Sequence, residues 1–338
     1  MARCAILTDM ATPELQNSTS LTPTQITSIQ PGGGFCMSLE AAWARLRRRY
    51  LRRFRPAYVR RMAGLRQGHC EGCCHDIVDA RDLKLYRNVC GYHFAEHADP
   101  FQAPNRLRLA WAGRAELLLF GFILLLAIAV LAAGAAWWHP LLFAPLLGVA
   151  ALLLFVLSFF RDPERTVPTD PQALVSPADG TVTHVDEVDE PDFPGGRAFR
   201  VSIFLSIFNV HVNRMPRTGR VINVRYFPGA FLDARHKECS VRNEQLWLDI
   251  EEERSQRLLR VKQISGAIAR RIVCWVKLGE RIERGRRFGM IKFGSRTELL
   301  APLDQDLEVL VKVGDKVKGA STVLARWKTT TDGPTSDA

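Results

Sequence analysis

Two uncharged apolar runs dominate the first half of the chain. They cover residues 117–136 and 140–160, and each is long enough to cross a bilayer as a helix. Trp137 and Trp138 lie between the runs, where indole rings suit the interface between membrane and water. The pattern predicts a two-helix transmembrane hairpin over residues 115–161. A buried helical pair in a soluble core is the alternative, but the length of the runs and their lack of charge weigh against it.

The pattern changes after residue 170 to short apolar runs interrupted by Gly, Pro and Asp. Runs at a spacing of roughly ten residues are typical of an all-β sandwich or barrel. We therefore predict a mainly β fold, a compact barrel-like or sandwich-like domain that follows the hairpin, with no long amphipathic helix between 176 and 328. The predicted strands cover residues 180–185, 198–207, 219–227, 246–250, 258–263, 272–275, 287–291, 307–313 and 322–326.

Two segments of the β region, residues 175–188 and 299–325, share a pattern of a strand, a Ser-Pro or Ala-Pro turn and further strands. The second is similar to the hairpin of lipoyl and biotinyl carrier domains, with Gly314 and Asp315 at the turn. A carrier of a prosthetic group is one function this suggests, but no lysine lies in an exposed Met-Lys turn. The repeats are therefore predicted to be architectural and to bring the start and the end of the domain together.

The net charge of the 338-residue chain is +11, and its pI is about 9.5. This balance favours an anionic partner, either a nucleic acid or an anionic membrane face. Residues 45–66 hold ten arginines and no acidic residue, interleaved with apolar side chains. An amphipathic helix on anionic lipid, a nucleic-acid-binding segment and a solvated basic arm all fit this run. The hairpin that follows favours lipid or a solvated arm over nucleic acid as the partner of this run.

The ends of the chain have a different composition. Residues 1–40 are rich in Ser, Thr, Gln and Pro, lack a recognisable cleavable signal peptide and are predicted to be disordered, as is the tail 329–338. Residues 41–105 are a basic, Cys-rich extension. The eight cysteines do not have the pattern of a secreted disulfide framework, and Cys239 and Cys274 are expected to be reduced.

The extension contains the spacing of a zinc ribbon. Cys70 and Cys73 are followed, after sixteen residues, by Cys90 and His93. Thiolates and an imidazole at these offsets can surround one structural zinc ion. The run 88–94 is similar to the zinc ribbon of the carboxyltransferase β subunit of acetyl-CoA carboxylase. Free cysteines are the alternative, and three neighbouring side chains are further candidate ligands: His69, Cys74 and His75.

Gly294 and Ser295 lie between an apolar strand-like run and a second strand, and their peptide bond is a candidate for self-cleavage. The glycine carbonyl is unhindered, and the serine hydroxyl is one bond away from converting the amide into an ester. β-Elimination then leaves a dehydroalanine, whose hydrolysis gives a pyruvoyl group that reacts with amines. Most Gly-Ser pairs are turns, so the surrounding segments decide between the two interpretations.

Five segments of the chain provide that context: FFRDPERTVP (159–168), VSPADGTV (175–182), FLSIFNVHVNRMP (204–216), GAFLDA (229–234) and FGSRT (293–297). In this order they resemble phosphatidylserine decarboxylase in its short, single-domain, archaeal-type proenzyme form. The resemblance covers roughly residues 115–328, with the decarboxylase domain at 162–328, and residues 1–105 are an atypical N-terminal extension.

The resemblance implies roles for several residues. Cleavage between Gly294 and Ser295 would give a β chain that ends at residue 294 and an α chain capped by the covalent pyruvoyl cofactor, made from Ser295, which forms a Schiff base with the substrate. His211 is implied to be catalytic, and Asp179 is the natural carboxylate to orient it. The substrate-binding candidates are Arg214 and Phe208.

The base that activates Ser295 stays open. The long branch of the family has two histidines in an HxxHMP pattern, and the second of them corresponds to Arg214 here. Because arginine stays protonated, it cannot act as a base. His211 is then the strongest candidate, with His184 and His236 as weaker ones.

The activity implied by the resemblance is decarboxylation of phosphatidylserine to phosphatidylethanolamine and CO2. Its expected partners are the lipid substrate, an anionic membrane surface, the paired α and β chains and a second copy of the enzyme. Arginines flank the outer ends of the hairpin and none lies in its loop, which predicts a cell-membrane protein with a cytoplasmic catalytic domain. An unprocessed relative that binds lipid or acts as a scaffold is the alternative.

Overall fold

A computed structural model describes residues 34–69, 76–86, 91–99, 101, 107–236, 238–267, 271–292 and 294–328. Its helices are α1 (Gly34–Phe54), α2 (Pro56–Leu65), α3 (Ala80–Tyr86), α4 (Arg114–Trp137), α5 (Phe143–Phe159) and α6 (Cys239–Arg242). Its strands are β1 (Arg66–Gln67), β2 (His93–Phe94), β3 (Ala173–Val175), β4 (Gly180–Asp189), β5 (Arg197–Leu205), β6 (Val212–Arg214), β7 (Gly219–Phe227), β8 (Gln245–Glu252), β9 (Leu258–Ser265), β10 (Arg271–Cys274), β11 (Arg281–Ile282), β12 (Arg287–Lys292), β13 (Ser295–Ala301), β14 (Leu307–Val309), β15 (Lys316–Val317) and β16 (Val323–Trp327).

Helices α4 and α5 form a hairpin where the two uncharged runs predicted helices. The carbonyl of Gly134 accepts hydrogen bonds from the backbone N–H groups of Trp138 and His139, which ends α4 before a short 3-10 turn at Pro140–Leu142. Both helices are long and apolar enough to cross a membrane, and their most apolar windows are not buried within the protein. Their lateral surfaces therefore lack the covering that a core helix would have.

The β region confirms the predicted mainly β fold. Eight strands form one antiparallel, open and curled sheet, a half-barrel in the order β11-β7-β8-β9-β13-β5-β4-β15. Two smaller sheets follow the orders β10-β12-β6 and β14-β16-β3. The main hydrophobic core combines buried side chains from all three sheets, for example Leu174, Ile203 and Phe288. Each of the nine predicted strands overlaps an observed strand, and the longest helix described between 176 and 328 is the four-residue α6.

The pairing of strands brings the start and the end of the β region together, as the sequence repeats predicted. Strand β16 pairs with β3, and β15 pairs with β4. The strands at the two ends of the β region are therefore paired with each other, and the segment that contains β13 lies between them in the sequence. The likeness of these hairpins to lipoyl or biotinyl carriers stays a prediction.

A second hydrophobic cluster joins the hairpin to the β10-β12-β6 sheet. The buried rings of Phe159 and Phe160, at the end of α5, pack with Val212, Val273 and Met290 from the three strands of that sheet. The apolar helices α4 and α5 are thus fixed to the same sheet whose strand β12 leads into the Gly-Ser bond. At the other end of the chain, α1 begins at Gly34, inside the segment predicted to be disordered, and it contacts α4.

Candidate active site

The predicted strand, Gly-Ser, strand arrangement is present. Strand β12 ends at Lys292 and β13 begins at Ser295, while Phe293 of the FGSRT segment lies outside the described residues. Gly294 has a φ of +67°, a left-handed conformation that costs an L-residue with a side chain roughly 1–2 kcal/mol. The turn between the two strands therefore requires glycine at the position before Ser295.

Ser295 is fully buried, and its hydroxyl has no hydrogen-bond partner among the described atoms. It lies in the centre of the large sheet, opposite Leu205 of β5 and Ser265 of β9. A buried hydroxyl without a partner loses the hydrogen bonds that it would make to water, so such groups are uncommon in native proteins. Since no neighbour holds the Ser295 hydroxyl, it remains available for reaction.

Ser265 and Gly266 belong to the site but were missed by the sequence analysis. The Ser265 hydroxyl is also buried and lacks a described partner, directly across from Ser295. A Cβ atom placed on Gly266 would lie 2.5 Å from the carbonyl oxygen of Gly294. The oxygen of the candidate scissile bond therefore approaches the backbone of Gly266 in a space that only glycine leaves open. Gly266 directly follows the observed end of β9 and lies three positions after the predicted end of that strand, which is a weak signal for such an approach.

His211 contacts the candidate scissile dipeptide directly. Its Nε2 atom accepts a 3.3 Å hydrogen bond from the Gly294 backbone N–H, and its Nδ1 atom donates to the Asn209 carbonyl at 2.9 Å. This pair of contacts requires the neutral tautomer with the proton on Nδ1. The ring lies against Phe159, with centroids 4.4 Å apart. Burial lowers the pKa of His211 to about 4, and the nearby Arg161 cation acts in the same direction.

Asp179 lies in the turn between β3 and β4, where other groups hold its carboxylate. Arg165 donates to Oδ2 at 2.6 Å, and the backbone N–H of Gly319 donates to Oδ1 at 2.8 Å. The group that orients His211 in this structure is the Asn209 carbonyl. An orienting role for Asp179 stays a prediction.

Arg214 replaces a family histidine, and its side chain is buried and paired. It donates to Asp162 at 2.8 Å, and to the carbonyls of Pro163 at 2.8 Å and Gly285 at 3.2 Å. Burial lowers the pKa of Arg214 to about 10, so it is still a cation at neutral pH. These contacts explain the arginine as a link between the end of the hairpin and strand β6. Its predicted contact with substrate stays a prediction.

Phe208, the other predicted substrate-binding residue, is 70% exposed. Its ring meets that of Phe155 on α5 edge to face, with centroids 6.0 Å apart. Its carbonyl accepts a 2.6 Å hydrogen bond from Arg161, the residue that follows the second apolar run. An exposed aromatic ring and a cation therefore lie beside His211 at the end of the apolar helices.

The two weaker histidine candidates lie in other environments. His184 is hydrogen-bonded to the Thr183 hydroxyl at 3.1 Å, and burial together with the Arg296 and Arg200 cations lowers its pKa. His236 is exposed, and its ring accepts from the Glu238 backbone N–H. Of the three histidines considered as the base, His211 is the one seen bonded to the Gly294–Ser295 turn.

The predicted zinc site falls largely outside the described residues. Cys70, Cys73 and Cys90 are not among them, while His93 lies in β2 opposite Gln67. Within the described ranges, no group of three or more His, Cys, Asp or Glu side chains could hold a metal ion. The zinc ribbon therefore stays a prediction. Cys239 and Cys274 are buried free thiols, as expected.

Comparison with known proteins identifies the family. The family model for phosphatidylserine decarboxylase matches residues 152–325, just over half of the chain. A phosphatidylserine decarboxylase proenzyme from Rhodopirellula baltica is 46% identical over 248 residues, which cover 73% of this chain and 99% of that protein. The chain belongs to the phosphatidylserine decarboxylase family. A second proenzyme, from Symbiobacterium thermophilum, is 48% identical over 200 residues, covering 59% of this chain and 90% of that protein.

Membership of the phosphatidylserine decarboxylase family confirms the resemblance inferred from the five segments. It makes the chain a member of a family of decarboxylases that are synthesised as proenzymes. The likeness to the archaeal-type form and the atypical nature of the extension stay predictions. The match of the family model begins at residue 152, so it includes the end of α5, the half-barrel and the Gly294–Ser295 turn.

Proposed function

We propose that this chain is a self-processing, pyruvoyl-dependent decarboxylase that converts phosphatidylserine into phosphatidylethanolamine and CO2. One observation carries the proposal. In a member of the phosphatidylserine decarboxylase family, the buried and unpaired Ser295 hydroxyl follows Gly294, whose N–H is bound by a neutral His211. The nucleophile, the scissile bond and a base thus meet in one turn between two strands.

Self-cleavage would proceed in balanced steps. The Ser295 hydroxyl oxygen attacks the Gly294 carbonyl carbon, the C–N bond breaks, and the hydroxyl proton ends on the freed Ser295 nitrogen to give an ester. Loss of the Ser295 Cα proton and cleavage of its Cβ–O bond release Gly294 as a carboxylate and leave a dehydroalanine. One water molecule then converts the dehydroalanine into pyruvoyl and releases ammonia. The products are residues 1–294 and the 44-residue segment 295–338.

His211 is the residue we assign to proton transfer in this cleavage. Its Nδ1 proton is held by the Asn209 carbonyl, so the Nε2 lone pair points to the scissile dipeptide. A pKa of about 4 keeps Nε2 unprotonated at neutral pH, so it can accept a proton. Arg214 cannot serve, because its guanidinium is positively charged and bound to Asp162. Asp179 would act from further away, through the turn that it stabilises with Gly319.

The residues around Ser295 fit a pyruvoyl group, because Ser295, whose Cα would become the ketone carbon and whose Cβ would become the methyl group, is enclosed, and its hydroxyl is not held by another described polar group. When formed, the ketone takes the amine of the substrate and accepts the electrons released as CO2 leaves. Ser295 and His211 both have no exposed surface, so the carboxylate of a bound substrate would lose water there, which favours its departure. His211 can then deliver the proton that replaces CO2.

Strand β13 explains how the two product chains would stay together. It begins at Ser295 and lies between β9 and β5, so cleavage leaves the α chain held by backbone hydrogen bonds on both sides. The pairings of β15 with β4 and of β16 with β3 join the α chain to the β chain again. These pairings also support an architectural role for the hairpin repeats that are similar to carrier domains. We therefore propose that the α and β chains form a stable heterodimer.

The hairpin would hold the site at the surface of the membrane. Phe159 of α5 packs on His211, and the exposed ring of Phe208 contacts Phe155 one helical turn earlier. A lipid headgroup at the end of α5 would therefore lie next to the catalytic residues. We propose that Arg161, whose guanidinium donates to the Phe208 carbonyl, also interacts with the phosphate or carboxylate of the bound lipid. Phe208 and Arg214 remain our proposed substrate-binding residues. Phe208 would contact the lipid directly, whereas Arg214 would act by supporting strand β6.

The basic extension supports an anionic, cytoplasmic membrane face. Leu46, Tyr50 and Phe54 form an exposed apolar stripe with helical spacing on α1, among exposed arginines. Such a helix suits the interface of a bilayer that contains anionic lipids. Because arginines flank the hairpin and its loop has none, we propose that the extension and the catalytic domain share the cytoplasmic side of the cell membrane.

Intact-mass analysis of the membrane-expressed protein tests the proposal. The wild type should yield a C-terminal fragment of about 5 kDa, given the mean residue mass of the chain, with a pyruvoyl group in place of its first serine. Ser295→Ala should remain full length and inactive on phosphatidylserine. A folded, membrane-inserted wild type that stays full length would exclude the enzyme and favour an unprocessed lipid-binding or scaffold protein.

A further inference from the structure

Four buried charged residues lie next to the processing turn and have no role in the proposed chemistry. They form what we call the Glu40 cluster: Glu40, Glu116, Arg271 and Lys292. Lys292 is the last residue of β12, two positions before Gly294, and it lies opposite Arg271 of β10. Neither Lys292 nor Arg271 has any exposed surface. The cluster therefore occupies the base of the turn that contains the scissile bond.

The two carboxylates of the cluster hold the two cations from different parts of the chain. Glu40 accepts from the Lys292 ammonium at 2.5 Å and binds Arg271 at 2.9–3.2 Å through both of its oxygens. Glu116, in the first turn of α4, accepts from the same ammonium at 2.6 Å. The lysine is thus held between helix α1 and helix α4. Both carboxylates are more than a hundred residues from it in sequence.

The charges of the cluster balance only when Glu40 is present. With it, two carboxylates face two cations, and although burial lowers the pKa of Lys292, Glu40 and Glu116 outweigh it and raise that pKa above its ordinary value. Without Glu40, Lys292 keeps Glu116 and Arg271 still interacts with the buried Glu244 carboxylate, but the two cations lose the one carboxylate that bonds to both of them. Removing one partner of a buried ion pair is strongly unfavourable, so the ends of β10 and β12 would move apart or admit water.

Glu40 lies outside the region that identifies the family. Helix α1 belongs to the basic extension, and the match of the family model begins at residue 152. Glu40 is also the one acidic residue of α1, in a helix whose last turn is basic. Its burial against β10 and β12, rather than exposure beside the arginines, distinguishes it from the rest of the helix.

We propose that Glu40 is a positioning residue for self-cleavage, through which the N-terminal extension fixes Lys292 and with it the Gly294–Ser295 turn. The proposal rests on the proposed cleavage at that bond. The hydrogen bond from Gly294 to His211 is 3.3 Å long, at the far end of the usual range, so a small shift of β12 would break it. Efficient processing of the proenzyme would then require that helix α1 of the extension is packed against β10 and β12.

The experiment compares Glu40→Gln with the wild type in full-length protein. Each chain is synthesised in a short pulse into lipid nanodiscs, and the appearance of the 44-residue fragment is followed on gels. We expect Glu40→Gln to slow processing about tenfold or more, because misplacement of reacting groups by about 1 Å costs up to a hundredfold. Turnover per pyruvoyl group, counted with a carbonyl reagent, should be unchanged in the fraction that does process. Glu40→Asp, which keeps the charge with a shorter reach, should process at an intermediate rate.

Glu308→Gln is the matched control, since it makes the same chemical change in the exposed Glu308–Arg326 pair, where the expected effect is negligible. A second background, Lys292→Met, separates positioning from general stability. If Glu40 acts through Lys292, adding Glu40→Gln to Lys292→Met should slow processing much less than it slows the wild type. Equal slowing in both backgrounds, or normal processing of Glu40→Gln, would overturn the proposal. A wild type that never cleaves would instead refute the proposed function.

Discussion

At the scale of single residues, the candidate site depends on backbone geometry as much as on side-chain chemistry. Gly294 adopts a positive φ, and the space beside its Cα is open. Gly266 has ordinary backbone angles, but its Cα lies against the Gly294 carbonyl oxygen. The first glycine is required by conformation and the second by close approach, so the two positions should respond differently to added side chains.

Gly266→Ala should therefore block processing without the strain of a positive φ. Its new methyl group would lie 2.5 Å from the scissile carbonyl oxygen, and since that neighbour is backbone, the Gly294–Ser295 turn must move. We expect processing to slow about a hundredfold, the cost of a displacement of about 1 Å between reacting groups. Gly64→Ala, where nothing lies within 4 Å of the new methyl group, is the control and should process normally. Normal cleavage of Gly266→Ala on pulse-chase gels would show that the carbonyl tolerates displacement.

At the scale of elements, the sequence was sufficient for the strands and the hairpin but not for the contacts between distant segments. Alternating and continuous apolar runs predicted the long strands, because the burial of their side chains determines both the apolar pattern in the sequence and the pairing of the strands. Two-residue strands such as β11 and β15 have no pattern of their own and exist through their neighbours, β7 and β4. The Gly-Ser turn was predictable because both of its flanking strands are apolar.

The contacts of the site residues could not be predicted in the same way. The partner of Arg214 is Asp162, 52 positions away, and the partner of Lys292 is Glu40, 252 positions away. Family resemblance placed His211 in the site, but its partner on Nδ1, the Asn209 carbonyl, is a backbone atom that composition does not reveal. Close approach at Gly266 depends on the curvature of the sheet, which no local pattern encodes.

The contact between helix α5 and His211 gives a testable pH dependence. The His211 pKa is about 4, below its ordinary value, so the neutral base predominates above that pH and its fraction falls as the pH drops through 4. Wild-type processing should therefore be flat from pH 8 to about pH 5. Phe159→Ala would remove the ring that covers the imidazole, admit water and move the pKa up toward 6.5. If it reaches about 6, processing at pH 5 should fall about tenfold.

Phe155→Ala provides the control for this profile, because it removes a similar ring from the same helix but one that contacts Phe208. Its profile should match that of the wild type. The rates are measured on proenzyme synthesised in a short pulse and then transferred to buffers of different pH. Two results would contradict the assignment of a buried, neutral His211 as the base. One is a wild-type processing rate that falls below about pH 6.5, and the other is a Phe159→Ala pH profile that is the same as that of the wild type.

At the scale of the whole molecule, one sheet connects the apolar helices, the extension and the processing turn. Strands β10, β12 and β6 pack against Phe159 and Phe160 at the end of α5. Strands β10 and β12 also contact α1 and α4 through the Glu40 cluster. The large half-barrel holds β13 from the other side. The proposed cleavage site therefore lies at a junction, where displacement of the apolar helices, the extension or the half-barrel would also displace the Gly294–Ser295 turn.

The orientation of that assembly can be tested directly. His139, between the two apolar helices, should face the outside of the cell, while the catalytic domain and all native cysteines face the cytoplasm, because the flanking arginines are retained on the cytoplasmic side. In intact bacterial cells, a membrane-impermeant maleimide should label His139→Cys and leave the wild type unlabelled. In inverted membrane vesicles, Ser255→Cys, in the turn between β8 and β9, should be labelled more strongly than the wild type. His139→Cys should be labelled there no more than the wild type. Labelling of the wild type in intact cells would indicate the opposite orientation of the protein. If His139→Cys is labelled neither in intact cells nor in inverted vesicles, the helices pair without crossing the bilayer.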